Sequence, residues 1–241
     1  PIHIVTDTFF FKSRWFDYAP SGVPDFDMKQ SNLPPSASGP VALANSLWWF
    51  DSKFEKISTV QPPLISDTYP LLRSYGRNLW DDHAVTNVVP FVRDLAFLAD
   101  TNGVRTGASI SGTNIISLAA GLKAYLEKAG LGAAYSIKLV PRPPLEWVAG
   151  EVLISEDVIL LLGFWQDQRG AGSNNPVWKR VGGHYVTMAG VDPRSRQVAF
   201  SDPGKDNAEA GGLGFVRPIS PHLSTHPTLH NNAAYVSHDI Y

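Results

Sequence analysis

Three side chains in this sequence have the types that acyl-transfer chemistry requires. Ser38 stands directly before Gly39-Pro40 at the head of an apolar run, SGPVALANSLWWF. His184 follows two glycines at the start of a β-type run, VGGHYVTMAGVD, and Asp202 closes the next one, VAFSDPG, 18 residues after the histidine. A hydroxyl attacks a carbonyl when a base takes its proton, and an imidazole serves as that base once an acceptor on its other nitrogen fixes the tautomer. Two adjacent strands would bring His184 and Asp202 side by side. Each residue also has a plainer reading: Ser38 as a helix cap, its oxygen accepting a first-turn N–H for about 1 kcal/mol, His184 as a strand histidine, and Asp202-Pro203-Gly204 as a turn. Ser38 is expected to cap its helix on either reading.

The elements that must position these residues follow from periodicity. Residues 1–37 are rich in aromatics, Pro and Asp and read as extended segments and turns. Over residues 39–54, Leu43, Leu47, Phe50 and Phe54 recur at helical steps, which predicts a helix with that face buried. A second helix is expected over 87–100, with Val88, Phe91, Val92, Leu95 and Leu98 inward and Asn102-Gly103 as its stop. A third is expected over 114–128, with Ile115, Leu118, Ala119, Leu122 and Leu126 on one face and Gly130 at its end. From Ala134 the pattern changes. YSIKLV reads as a strand, PPLEWVAGEVLI as a short Pro-initiated helix and DVILLLGFW as a buried strand. Strands at VGGHYVTMAGVD, QVAFSD, GFVRPI and YVSHDI follow. Helices first and an antiparallel sheet later predict an α+β domain of two packed halves, with the cleft between them as the natural site. The expected organisation is one domain over 1–241, made of an extended segment (1–37), a mainly helical lobe (38–130) and a mainly β lobe (131–241).

Taken in order, SGVPDFDMKQ, SGPVALANSLWW, GGHYVTMAGVD and VAFSDP resemble the papain-like cysteine peptidases, specifically the C39-like branch of that clan. That family has a Val-Pro entry segment with a Gln, a Cys-Gly-Pro motif opening a central helix, a Gly-His strand and an Asn-Asp-Pro or similar turn. The resemblance spans about residues 22–204 and implies a papain-like two-lobed fold. It assigns Gln30 to oxyanion stabilisation, His184 to the base and Asp202 to orienting the imidazole. Ser38 occupies the position of the nucleophilic cysteine. A thiol of pKa about 8.5 is drawn down to a standing thiolate by a helix N-terminus and a histidine, whereas an alcohol is far less acidic and needs base assistance during attack. The resemblance therefore implies a peptidase-type domain that is inactive as it stands and holds a peptide or peptide-like ligand in its cleft. Ser38 is read as an engineered Cys-to-Ser change or a natural pseudoenzyme ahead of a true serine variant. Two alternatives stay open: a surface binding or structural protein that uses the scaffold for self-association or assembly, with FFFKSRWF as a contact element, and an active serine-dependent hydrolase or acyltransferase.

Composition narrows the field further. The net charge of −2 offers no basic excess for a phosphate backbone, which argues against nucleic acid. The absence of cysteine excludes disulfides and thiolate metal sites. No run approaches the roughly 18 apolar residues of a membrane span, so none is expected. The chain opens at Pro1 without a leader pattern, and reads as a processed or trimmed form. With 7 Trp, 20 Gly and 19 Pro the composition leans toward an extracellular or cell-surface setting, with a cytoplasmic one open. His226, His230 and His238 are spaced four and eight apart, but the local Pro and Asn-Asn disfavour the helix of an H-E-x-x-H site, and they read as surface or structural. Asp202, Asp206 and Glu209 do not fit a calcium loop, GASISG and GGLGFV miss the nucleophile-elbow and dinucleotide motifs, and most tryptophans read as core. No cofactor and no metal are expected.

Overall fold

A computed structural model gives the three-dimensional structure. It describes residues 10–12, 23, 24, 26, 28, 36–55, 69–72, 85–172, 174, 175, 177–192, 197–204, 224 and 225. These form an α+β arrangement of four helices and an antiparallel sheet. The helices are α1 (Ser38–Phe54), α2 (Val85–Leu98), α3 (Ile115–Lys128) and α4 (Leu145–Leu153). The strands are β1 (Phe10–Phe11), β2 (Ile159–Asp167), β3 (Trp178–Asp192), β4 (Gln197–Ser201) and β5 (Ser224–Thr225).

The central helix α1 begins at SGP because Pro40, in the first turn, has no N–H that an intrahelical acceptor would need. Val41 N–H, bonded to the Ala37 carbonyl at 3.3 Å, is the first donor that the helix must satisfy. α1 is buried almost all round rather than on one stripe. Leu43 and Leu47 are enclosed as the periodicity predicts, but Ser38, Asn45, Ser46, Asp51 and Ser52 are buried too, and Phe54 is exposed. The cause is that α1 lies between the sheet and the α2/α3 pair. Its core joins Trp48 to Phe26 and Phe91, with ring centroids 5.0 and 5.8 Å apart, and to Leu95 and Leu126. A second core lies between α4 (Val148, Val152) and the sheet residues Val186, Met188 and Phe200.

The sequence predicts α2 and α3 closely, and Asn114 caps α3 by accepting the Ile116 N–H at 2.7 Å. α2 ends earlier than expected, at Leu98, because Asp100 and Asn102 take left-handed backbone (φ 51° and 57°) around a 3₁₀ turn. Ile115 is exposed, not inward. YSIKLV is a larger departure: residues 135–140 lie outside every strand, with Ile137, Leu139 and Val140 exposed, since a β-type run gains ladder hydrogen bonds only if a partner strand is placed beside it. GFVRPI and YVSHDI lie outside the described residues.

β3 is the centre of the sheet. β4 lies along one side of it, while β2 and β1 share the other, β2 opposite 178–187 and β1 opposite Gly190 and Val191. Among the described residues β2 pairs with β3 alone, and of its apolar run over residues 159–164 only Leu162 is buried, which corrects the expectation of a buried strand. Of FFFKSRWF only Phe10–Lys12 are described: β1 pairs with β3, and Lys12 is buried in an ion pair with Asp157 and over the Trp49 ring at 3.9 Å. The burial that this costs depresses the Lys12 pKa, and Asp157 offsets part of it.

Candidate functional site

The N-terminus of α1 abuts β3 at the peptide joining His184 to Tyr185. Ser38 is the first residue of the helix, Ala37 takes the cap position, and no side chain caps that end. The expected cap is thereby corrected. Ser38 Oγ turns across to the sheet and accepts the Tyr185 N–H at 3.3 Å, which couples residues 147 apart in sequence. The Tyr185 N–H takes this oxygen in place of a first-turn N–H because a buried strand donor has no water to fall back on.

His184 and Asp202 meet because β3 and β4 are antiparallel neighbours with Thr187 opposite Ser201. His184 is three residues before Thr187, and Asp202 is one beyond Ser201, so period-two alternation puts both on the face away from Thr187. His184 Nε2 is hydrogen-bonded to Asp202 Oδ1, and the same oxygen accepts the Gly204 N–H at 2.8 Å. Asp202 is fully buried and His184 nearly so, with the Phe164 ring stacked 6.4 Å away. Nε2 being engaged, Nδ1 is the nitrogen that a base at this position would use. Gly204 has a reason to be glycine: a Cβ there would lie 3.3 Å from Asp202 Oδ1 and 3.6 Å from His184 Cε1.

Several residues that hold this arrangement were not singled out from the sequence. Asn45, buried on α1, accepts the Phe26 N–H at 2.8 Å and donates to Ser201 Oγ at 3.1 Å, while Ser201 Oγ donates to the Pro24 carbonyl at 3.0 Å. Thr187 Oγ1 donates to the Ala42 carbonyl at 2.7 Å, which ties α1 to β3 directly. The 101–113 loop fixes the helix end: Asn102 Oδ1 accepts from Ser36 Oγ and the Gly112 N–H, and Tyr185 OH donates to the Thr113 carbonyl at 3.0 Å. Burial pushes the Tyr185 phenol up to about 12, so it serves as a donor at neutral pH. A polar Asn inside the apolar run VALANSLWW was the one signal available for Asn45.

Of the expected site residues, His184 and Asp202 are joined directly, while Ser38 reaches the backbone N–H of the neighbouring Tyr185. Gln30 lies outside the described residues, although Met28, two residues before it, donates its N–H to the Pro203 carbonyl at 2.9 Å, beside Asp202. His226, His230, His238, Asp206 and Glu209 also lie outside them. Asp202 is committed to His184, and the described residues hold no cluster suited to a metal ion. No described helix is long and apolar enough to cross a membrane. Compared with family models, curated proteins and solved structures, the chain matches none.

Proposed function

We propose that this chain is a papain-like, C39-like peptidase-type domain in which Ser38 replaces the nucleophilic cysteine, so that it binds a peptide or peptide-like ligand between the helical half and the sheet without cleaving it. The observation that carries this reading is a helix N-terminus whose Ser38 meets the peptide after a strand histidine, together with a buried carboxylate on Nε2 of that histidine. A thiolate–imidazolium pair needs the nucleophile at the ring nitrogen left free when a carboxylate holds the other, here Nδ1, and a nucleophile at Ser38 is brought to the same stretch of β3. A serine there gains no comparable anion, because its hydroxyl must lose the proton during attack. Its oxygen is moreover engaged by the Tyr185 N–H.

The test restores the thiol. The Ser38→Cys variant is expected to be labelled by a peptide carrying a thiol-reactive electrophile, with His184→Ala in the same background slowing labelling by about two orders of magnitude. The unmodified chain is expected to be inert to that reagent and to fluorophosphonates. A fluorophosphonate adduct on Ser38 would mean an active serine hydrolase. Failure of the folded Ser38→Cys variant to react would refute the peptidase-type reading.

A further inference from the structure

A cavity of about 480 Å³ runs along α1 on the side of α3, from Tyr185 near the Ser38 end to Lys53 at the other, and its volume falls within the about 300–1,000 Å³ of small-molecule sites. Its body is apolar, formed by Leu43, Leu47 and Phe50 of α1 and Leu118 and Leu122 of α3. One end is polar. Lys53 is there, about 22 Å along the helix from Ser38 at 1.5 Å per residue. Its ammonium donates to the Ser155 carbonyl at 3.0 Å, lies 5.1 to 5.6 Å from the rings of Trp49, Phe50 and Phe54, and feels the charges of Glu156 and Asp157. An ammonium has three donors, and ring faces attract its charge without accepting in the way an oxygen does.

The hydroxyls of Tyr69 and Tyr135 line the same cavity, 2.7 Å apart. One phenol donates to the other, so the second O–H has a proton for which the described residues supply no acceptor. Burial holds the Tyr135 phenol well above the usual tyrosine range, and burial depresses Lys53, so both gain from an acceptor brought with the ligand. Charge points the same way. Lys53 and Lys138 stand against Glu156 and Asp157 in the lining, and Asp157 is already paired with Lys12.

We propose that this cavity binds a medium- or long-chain carboxylate, its apolar chain along α1 and α3 and its head group at Lys53 and the Tyr69–Tyr135 pair. This site does not depend on the Ser38 reading. The experiment uses the whole chain and the fluorescent probe 11-(dansylamino)undecanoate, displaced by dodecanoate, 1-dodecanol or dodecylammonium at matched chain length. The expected result is saturable probe binding at one site, with dodecanoate displacing about tenfold more tightly than 1-dodecanol and dodecylammonium weakest, the margin of one charge-assisted hydrogen bond. Lys53→Met is expected to weaken dodecanoate about tenfold and leave 1-dodecanol within about twofold; Tyr135→Phe, a milder change should Lys53→Met fail to fold, is expected to weaken dodecanoate about threefold. Equal displacement by the alcohol and the carboxylate, tighter displacement by the amine, or no saturable probe binding would overturn the proposal.

Discussion

Removing the Asp202 carboxylate tests how the site is held. In Asp202→Ala two hydrogen bonds to Oδ1 disappear, one from His184 Nε2 and one from the Gly204 N–H. The first joins a buried carboxyl group to a nearly buried ring, for which about 1.5–3 kcal/mol is the scale. The second involves an exposed residue whose N–H water can reach, so about 0.5–1 kcal/mol is appropriate. The expected loss is about 2–4 kcal/mol. Asp202→Asn separates charge from shape. Its carbonyl still accepts both donors, but its NH₂ falls where Oδ2 is buried without a partner among the described residues. Losing the charge assistance and burying an unpaired amide in place of an already unpaired oxygen should together cost about 1–2 kcal/mol. Urea unfolding at neutral pH measures both values, and long-range ¹⁵N–¹H spectra report the His184 tautomer. The unaltered chain should carry its proton on Nε2 when neutral, a preference that Asp202→Ala abolishes. If Asp202→Ala costs under about 0.5 kcal/mol and leaves the tautomer in place, Asp202 does not orient His184 and the reasoning fails.

Other expectations follow from packing and titration. Gly121 lets α3 press its backbone on the end of α2: a Cβ would lie 2.6 Å from the Ala99 nitrogen and 2.7 Å from its Cα. Gly121→Ala gains about 1 kcal/mol of helix propensity but forces two backbones apart at about 1–3 kcal/mol, so calorimetry should show a lower Tm. The Asp100 carboxyl is held below the usual range, chiefly by the Thr106 hydroxyl and then by the backbone N–H groups of Thr106 and Arg105. A depressed carboxyl stabilises above its unfolded pKa, near 3.9, and that contribution is lost as pH falls through the folded value. Asp100→Asn, which suits the left-handed backbone there, should lower stability at pH 7 and flatten the acid limb of the stability–pH curve. Tyr185 reverses the sign: with a folded pKa near 12, its contribution is intact below about pH 10 and lost as pH rises through about 12. Tyr185→Phe should therefore remove one late-ionising tyrosine from the alkaline absorbance titration at 295 nm and cost about 1 kcal/mol at neutral pH through the lost Thr113 bond.

Elements with local signals were legible before any contact was known. The helix opened by SGP, the periodic faces of α2 and α3, the Asn114–Gly130 limits, the Pro-led α4 and the order of β2, β3 and β4 all rest on residues within a few positions of one another, so short-range sterics and hydrophobic periodicity carry them. His184 and Asp202 were legible as a pair because two strands joined by a short turn bring fixed offsets together. Only the tertiary structure decided the rest. Whether Ser38 caps its helix or turns to Tyr185 depends on a strand 147 residues away, and the two local acceptor roles look alike in sequence. The Lys12–Asp157 pair, 145 residues apart, has no local signature at all. Among the described residues YSIKLV has strand chemistry but no strand beside it, and β2 reads as buried but pairs with β3 alone. Composition and spacing state what a segment can bury; what lies across from it is fixed when the chain closes on itself.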